Sequence, residues 1–300
     1  QYLGAEGFRD GLRHYLKKHA YKNTDTVDLW QSLEDVTKKP VKTFMGTWTH
    51  KSGFPIVEVA AAQDHLELSQ HIFVANPGSA HRADKTLWPI PLLCDGIGAA
   101  TMDKRTANIP FTDTKTAPIK LNVGQNGFYR VNYSHDMQQQ QIAAIAAGGV
   151  SDIDRMGLLS DSLEVTKAGY QSVDEFLDLL TNYTNEHTLP VWEIIASAIG
   201  TIRSTLSAND QDDTLRDTMK PFIQQLIEPQ LDRLGLQEGS DETHLETLLR
   251  PIIVSLSAGT DDTKTTDWLL KQYRNKIDNG SPVNTNLRGT IYSTAARLGG

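Results

Sequence analysis

The sequence predicts a multidomain protein of mixed class: a short α-helical segment, then an all-β sandwich, then an all-α, HEAT-like helical-repeat domain. The prediction rests on where the spacing of apolar residues changes. They recur every three to four positions at the start, alternate with polar residues after Gly53, and return to helical spacing from about Met137. We expect the helical segment over residues 1–47, the sandwich over 48–135, and an incomplete helical domain over 136–300.

The opening segment carries helical patterns that are separated by turn formers. An apolar stripe predicts a first helix with one inward face, formed by Phe8, Leu12, Tyr15, Leu16 and His19. A polar stretch follows, after which Asp25 or Thr26 is placed to cap a second helix. Pro40 interrupts the pattern, and a short helical run then leads to Trp48.

Short strands with one buried face are predicted in the middle of the chain. The alternating apolar positions are Val57 and Val59, then Leu66, Leu68 and Ile72, then Tyr129, Val131 and Tyr133. Asn126-Gly127 precedes the last run and predicts a hairpin turn. We expect the proline-containing run from Trp88 to Leu92 at a sheet edge or in a crossover, because proline cannot donate to a central ladder. Strands this short between Pro and Gly turns indicate a small sandwich.

The last part of the chain carries repeated apolar stripes at helical spacing. They run through Leu158, Leu159 and Leu163; Phe176, Leu177 and Leu180; Val191, Ile194, Ile195, Ala198, Ile199 and Ile202; Met219, Phe222, Ile223, Leu226 and Ile227; Leu245, Leu248 and Leu249; Trp268, Leu269 and Tyr273; and Leu287, Ile291 and Ala295. Antiparallel helices with short loops favour a helical-repeat stack. Since no capping element follows, we expect further chain beyond Gly300.

Composition excludes several classes of protein and partner. With 39% apolar and 22% charged residues, the chain has the composition of a globular protein rather than a disordered one. Its net charge of −8 would repel phosphate backbones, so we expect no nucleic-acid partner. No apolar stretch approaches the roughly 20 residues of a membrane span, so we expect no membrane partner. The single cysteine, Cys94, cannot form an internal disulfide and favours a reducing compartment.

The histidines do not form the pattern that a zinc peptidase needs. Two histidines one helical turn apart, at i and i+4, can reach one metal ion. No pair here has that spacing among His14, His19, His50, His65, His71, His81, His135, His187 and His244. We interpret them as exposed or locally bonded side chains.

Other candidate motifs are better explained as structure. Cys94 lies in an apolar run and reads as a core residue, not a nucleophile. Gly96-Ile97-Gly98 lacks the third glycine of a dinucleotide fingerprint. The carboxylate clusters precede predicted helices and are expected to cap them; they are Asp210, Asp212 and Asp213, Asp241 and Glu242, and Asp261 and Asp262. The tryptophans are read as core residues: Trp30, Trp48, Trp88, Trp192 and Trp268.

Several strings are familiar in combination. They are GLRHYLKKHAYKNT (11–24) with DLW (28–30), WT (48–49) with GFPIV (53–57), LWPIPL (87–92), LNVGQNGFYRVNY (121–133) and DR (154–155). Together and in this order they resemble the C-terminal portion of the aminopeptidase N and puromycin-sensitive aminopeptidase family of zinc metallopeptidases. The resemblance spans nearly the whole chain and is most specific up to about Ala168.

The resemblance implies that the catalytic machinery lies outside this chain. In that family an H-E-x-x-H motif and a downstream Glu bind zinc, a G-x-M-E-N loop holds the substrate amine, and a tyrosine stabilises the oxyanion. All of these fall N-terminal to residue 1, and Tyr2, Tyr15 and Tyr21 do not match the tyrosine. The resemblance therefore implies no catalytic, cofactor-binding or metal-binding residue here, and zinc only in the parent enzyme.

The resemblance also implies a role for the chain. We expect a non-catalytic fragment that links and caps the active site of a cytoplasmic aminopeptidase and shapes peptide access. Its partners would be the missing N-terminal and catalytic domains and the peptide substrates. Two alternatives stay open: a free-standing protein-interaction module built from a sandwich and helical repeats, and an enzyme with an unrecognised site. An upstream H-E-x-x-H motif would separate the first reading from the others.

Overall fold

The computed structural model describes residues 2–76, 78–79, 84–94, 97, 100–111, 118–208 and 214–299. Helices make up most of the described residues, and the strands of two small sheets lie in sequence between the third and the fourth helix. The chain forms two compact units. Unit 1 comprises Gln1–Ala144 with Glu164–Ser172, and unit 2 comprises Ile145–Leu163 with Val173–Gly300. These units group the elements differently from the predicted three domains, whose boundaries stay a prediction.

Unit 1 opens with three helices: α1 (Ala5–Lys18), α2 (Thr26–Thr37) and α3 (Val41–His50). Asp25 starts α2, as its sequence position predicts. Its carboxylate accepts from the backbone of Val27 and Asp28, and the Asp28 carboxylate accepts from the Asp25 N–H. This reciprocal cap satisfies N–H groups that the first turn leaves without helical partners.

The predicted apolar stripe of α1 is wrong in part: Leu12, Tyr15 and His19 are half-buried, but its other two members are exposed. Phe8 is 50% exposed and Leu16 is 66% exposed. α1 instead packs on α2 through Gly11, where a Cβ would lie 2.5 Å from Leu33 Cδ2. The prediction missed this contact because spacing of large apolar residues does not reveal a face made by glycine, which lets two helix backbones approach closely.

The strands of unit 1 form two sheets. The larger has the order β5-β2-β1-β6 and the smaller pairs β3 with β4. Their bounds are β1 (Pro55–Ala61), β2 (His65–Ile72), β3 (Ile90–Leu92), β4 (Ala100–Met102), β5 (Thr106–Pro110) and β6 (Arg130–Tyr133). The proline-containing run supplies β3 of the two-stranded sheet, so its predicted edge position is confirmed.

One apolar cluster is shared by both sheets. The larger sheet contributes the alternating positions that the sequence predicts, and the smaller sheet contributes the residues around β3 and β4. Its most buried members are Val57, Val59, Leu66, Leu68, Trp88, Ile90, Met102, Leu121 and Val131. Alternation therefore identified the inward face of the strands correctly.

The prediction of a hairpin turn at Asn126-Gly127 is wrong. β6 pairs with β1 in parallel, with Val57 opposite Val131, so no hairpin leads into β6. A 3-10 turn at Val123–Gln125 precedes these residues instead. The Asn-Gly pair is used in an irregular turn that is organised by a neighbouring asparagine.

Helices fill the rest of the chain. α4 (His135–Ala146) begins in unit 1, and α5 begins in unit 2 and ends in unit 1. The later helices belong to unit 2. The remaining bounds are α5 (Asp152–Lys167), α6 (Val173–Leu180), α7 (Leu189–Ala208), α8 (Thr214–Thr218), α9 (Lys220–Leu234), α10 (His244–Gly259), α11 (Thr263–Asn279) and α12 (Arg288–Leu298). Within the described ranges, no helix is long and apolar enough to cross a bilayer.

Most of the predicted stripes of unit 2 face its interior. α7 is buried along Val191, Ile195 and Ile199, and α12 is buried at Ile291. The stripe predicted on α10 is wrong in part, because Leu245 is 59% exposed and only its C-terminal continuation is buried. Leu245 lies in the first turn of α10, where an apolar side chain can point away from the packed face.

Candidate functional site

Several histidines lie beside local polar partners. His14 Nε2 is 3.7 Å from Asp35, and His71 Nε2 is 3.9 Å from Glu58. His187 Nδ1 lies 2.8 Å from Gln230 Nε2. His81 lies outside the described residues. In the described part of the chain, no group of three or more His, Cys, Asp or Glu side chains could hold a metal ion.

The other candidates have structural contacts where the structure describes them. Cys94 is half-buried and forms an isolated bridge with Leu121. Asp262 caps α11 by accepting from Thr265 N at 2.8 Å, as the capping hypothesis predicts. Trp88 and Trp192 are fully buried, whereas three others are half-buried: Trp30, Trp48 and Trp268. Gly96, Gly98, Asp210, Asp212 and Asp213 lie outside the described residues.

The motif at 121–133 is organised by the buried side chain of Asn122. Its Oδ1 accepts from Gly127 N at 2.6 Å, and its Nδ2 donates to the Gly127 carbonyl at 3.1 Å and to Gln125 Oε1 at 3.3 Å. Asn122 has a φ of 57°, in the left-handed region that asparagine tolerates better than most residues. We call this turn, centred on Asn122, the Asn122 frame.

Two further features fix the Asn122 frame onto β6. A Cβ at Gly127 would lie 2.3 Å from Tyr129 Cε1, so only glycine fits there. The Tyr133 hydroxyl accepts from Leu121 N at 2.9 Å. This hydrogen bond connects the last residue of β6 to the first residue of the motif. The conspicuous glycine, asparagine and tyrosine letters of this string therefore have a structural explanation in unit 1.

Gln70 joins the two sheets of unit 1. It lies on β2 and is fully buried. Its Nε2 donates to the carbonyls of Trp88 and Lys104 at 2.9 and 3.0 Å, and its Oε1 accepts from Trp88 N at 3.0 Å. Trp88 precedes β3 and Lys104 follows β4, and Ile90 pairs with Met102, so one carboxamide holds the two chain segments that meet at one end of the smaller sheet.

Comparison with known proteins accounts for both ends of the chain. Residues 118–300 match the family described as the ERAP1-like C-terminal domain, which is more than half of the chain. Residues 1–48 match the family described as the peptidase family M1 domain. The chain belongs to the M1 aminopeptidase family, as a C-terminal portion. The family resemblance of the quoted strings is thereby confirmed.

The two family models leave residues 49–117 of this M1 portion unmatched, and individual relatives also cover this middle part. The chain is 27% identical to Aminopeptidase 2 of Candida albicans, with all of the chain and 33% of the relative covered. It is 32% identical to Aminopeptidase M1-D of Oryza sativa, with 84% and 30% covered. It is 27% identical to the Puromycin-sensitive aminopeptidase of Caenorhabditis elegans, with 100% and 32% covered. The chain thus spans about a third of the length of these relatives.

The Asp154-Arg155 string of this M1 portion leads into a buried ion pair in unit 2. Arg155 Nε donates to Glu186 Oε2 at 2.7 Å, and Arg155 Nη2 donates to Glu186 Oε1 at 3.0 Å. The Glu186 side chain is 1% exposed and the Arg155 side chain 19% exposed. Thr188 N also donates to Glu186 Oε1, at 2.8 Å. A two-point contact of this kind fixes the orientation of both groups.

The surroundings of Glu186 favour its charged form. Burial alone would raise the pKa of Glu186, but hydrogen bonds from Arg155 and Thr188 outweigh it and hold the pKa below its ordinary value. Tyr183 donates its hydroxyl proton to the Arg155 carbonyl at 2.8 Å, and burial raises the pKa of that hydroxyl. The Trp192 indole donates to the Glu186 carbonyl at 2.9 Å. These contacts join α5, α7 and the segment before α7.

A second charged group joins the helices at the end of α10. Asp261 accepts from Lys220 Nζ at 2.7 Å and from the Arg297 guanidinium. Arg297 also donates to the Ala258 carbonyl at 2.7 Å, in the last turn of α10. The hydrogen bond from Lys220 lowers the pKa of the Asp261 carboxyl. A cation at a helix C-terminus is favourable because the carbonyl end of the helix is negative.

The described residues of this M1 portion do not fit the zinc ion of the family, because their histidines and carboxylates do not gather into a ligand set. Sequence reasoning missed Gln70 and Glu186, since single polar residues carry no local pattern. Asn122 could be singled out from the sequence, because it belongs to the string at 121–133 that resembles the family. Around Gln70, Asn122 and Glu186 the structure shows buried polar contacts that join segments within units 1 and 2.

Proposed function

We propose that this chain is the non-catalytic C-terminal portion of a zinc-dependent aminopeptidase that removes N-terminal residues from peptides. One observation carries the proposal: the chain matches aminopeptidases along its full length but spans only a third of them. The match of residues 1–48 to the peptidase family M1 domain supports a boundary with that domain inside this chain. The remainder would follow the catalytic centre in the polypeptide.

In this proposal the chain links and caps the active site and shapes access of peptides to it. The two sheets of unit 1 would be the layers of a small sandwich, and the helices of unit 2 would stack as HEAT-like repeats. Buried contacts suit that role, because a wall that limits access has to keep its shape. Gln70 and Glu186 each connect segments that are distant in sequence.

The partners follow from the same proposal. They would be the N-terminal and catalytic domains of the same polypeptide, together with the peptide substrates, and zinc would be bound by the parent enzyme. We also propose a cytoplasmic location, which rests on the resemblance to the bacterial and puromycin-sensitive branches of the family and on the single cysteine, Cys94.

An activity assay of the purified chain tests the proposal. With zinc added, we expect no chelator-sensitive hydrolysis of aminoacyl reporter substrates by the chain alone. The polypeptide encoded by the complete reading frame, assayed in parallel, should hydrolyse the same reporters and lose activity on chelation.

Two results would contradict this assignment. Hydrolysis by the chain alone, abolished by chelator and restored by zinc, would place a catalytic centre within it. A complete reading frame without an H-E-x-x-H motif would remove the parent peptidase and favour a free-standing interaction module. Neither result depends on whether the isolated chain is stable, because folding is checked independently by circular dichroism.

A further inference from the structure

The sequence contains two Asn-Gly pairs, and the structure holds them differently. One is Asn126-Gly127 within the Asn122 frame, and the other is Asn279-Gly280 at the end of α11. Asparagine followed by glycine is the pair most prone to deamidation, because glycine has no side chain to hinder attack by its own backbone nitrogen. The two pairs therefore form an internal comparison within one chain.

At Asn126-Gly127 both reacting groups are held. The nucleophile would be Gly127 N, whose N–H donates to Asn122 Oδ1 at 2.6 Å. The electrophile would be the Asn126 carboxamide, whose Nδ2 donates to the Val123 carbonyl at 3.1 Å. Asn122 itself is 1% exposed. Reaction here would require the Asn122 frame to open.

At Asn279-Gly280 only the end of a helix has to open. Asn279 is the last residue of α11, and both it and Gly280 are exposed. Among the described residues, none forms a hydrogen bond with the Asn279 carboxamide. Gly280 N donates to the Lys276 carbonyl at 3.1 Å, in the terminal turn of the helix. Terminal turns open at much lower free energy than buried frames.

We propose that Asn279 is a site of spontaneous deamidation and that the Asn122 frame suppresses the same reaction at Asn126. Gly280 N forms a bond to Asn279 Cγ, the Cγ–Nδ2 bond breaks, and ammonia leaves with the amide proton. The resulting succinimide is opened by water at either carbonyl to give aspartate or isoaspartate. The reaction consumes one water, releases one ammonia and transfers no electrons.

The product changes the end of α11. A new carboxylate stands at the helix C-terminus, where the helix dipole disfavours negative charge. Isoaspartate also inserts a methylene into the backbone just before Val283 and Leu287, which pack in the cluster of α10, α11 and α12. The modification therefore loosens the connection between α11 and α12.

Peptide mapping by mass spectrometry after incubation at mildly alkaline pH tests the proposal. We expect conversion at Asn279 to be about tenfold or more faster than at Asn126, the factor that loss of one or two hydrogen bonds accounts for. The reference for an unstructured rate is a synthetic peptide with the sequence of residues 275–283. Equal rates at the two sites, or no conversion at Asn279 while the peptide converts, would overturn the proposal.

The Asn122→Gly variant tests the protective half separately. Glycine keeps the left-handed backbone of residue 122 but removes the acceptor for Gly127 N. We expect faster conversion at Asn126 and an unchanged rate at Asn279. Should the variant unfold as a whole, both sites would approach the rates of free peptides, which circular dichroism would also reveal. An unchanged rate at Asn126 in the folded variant would refute protection by the Asn122 frame.

Discussion

Two carboxamides join segments that are distant in sequence within unit 1, and two charged pairs do so within unit 2. In unit 1, Gln70 connects the two sheets and Gln141 donates to the Ile119 carbonyl. In unit 2, Glu186 pairs with Arg155 and Asp261 pairs with Lys220. A carboxamide keeps its hydrogen bonds across the pH range, whereas a carboxylate loses acceptor strength when it binds a proton. The two units should therefore respond differently to mutation and to acid.

Glu186→Ala gives the largest expected effect. Removal of Glu186 leaves the largely buried Arg155 with only the exposed Asp152 as a carboxylate partner, which should cost about 3–5 kcal/mol of unfolding free energy. The control is Glu193→Ala, since Glu193 lies exposed on α7 and its loss should cost less than about 0.5 kcal/mol. Hydrogen exchange measured by mass spectrometry should rise in α5 and α7. Equal acceleration in β1 and β2 would show that the two units do not unfold independently.

Gln70→Leu tests the corresponding contact in unit 1. Leucine fits the apolar surroundings but leaves the Trp88 and Lys104 carbonyls unpaired, at a cost of about 2–3 kcal/mol. The matched control is Gln63→Leu in the exposed turn between β1 and β2, which should be close to neutral. Urea unfolding followed by exchange in β2 and β4 measures both. A loss no greater than that of the control would mean that Gln70 does not hold the sheets together.

Glu186→Gln sharpens the comparison with the smallest change, about 1–2 kcal/mol at neutral pH. The folded-state pKa of Glu186 lies below its ordinary value, so the ion pair contributes fully above the unfolded glutamate pKa of about 4.3. That contribution is lost as pH falls through the folded pKa. The difference in melting temperature between wild type and variant should therefore be present at neutral pH and disappear in acid.

The corresponding acid series with Gln70→Leu should give a pH-independent difference, because no proton binds to the carboxamide. A Glu186→Gln difference that persists unchanged in strong acid would mean that packing, not charge, accounts for the role of Glu186.

Much of the fold could be read from the spacing of apolar residues, because burial of one face has a period. Val57, Val59, Leu66 and Leu68 were placed correctly in the core, as was Ile199. The α1 face could not be predicted, since Gly11 forms it by having no side chain. The parallel pairing of β6 could not be predicted either, because Asn126-Gly127 indicates a turn locally while the partner strand lies far away in sequence.

The buried contacts divide in the same way. Asp25 was identifiable because a cap acts within three residues of its own position, and Asp262 for the same reason. Gln70 and Glu186 form hydrogen bonds with groups many residues away. An isolated Gln or Glu in a sequence carries no pattern that identifies such a distant partner. The family resemblance came from strings that the structure explains through Asn122, Tyr133 and Arg155.

The parallel pairing of β6 with β1 has a consequence for the order of folding. β1 and β2 are joined by a short turn, so their ladder can close early and with little loss of chain entropy. β6 can add to β1 only after the whole intervening chain has been synthesised and gathered. During synthesis the edge of β1 that faces away from β2 therefore stays unpaired until β6, which carries Val131, has been made and pairs with it.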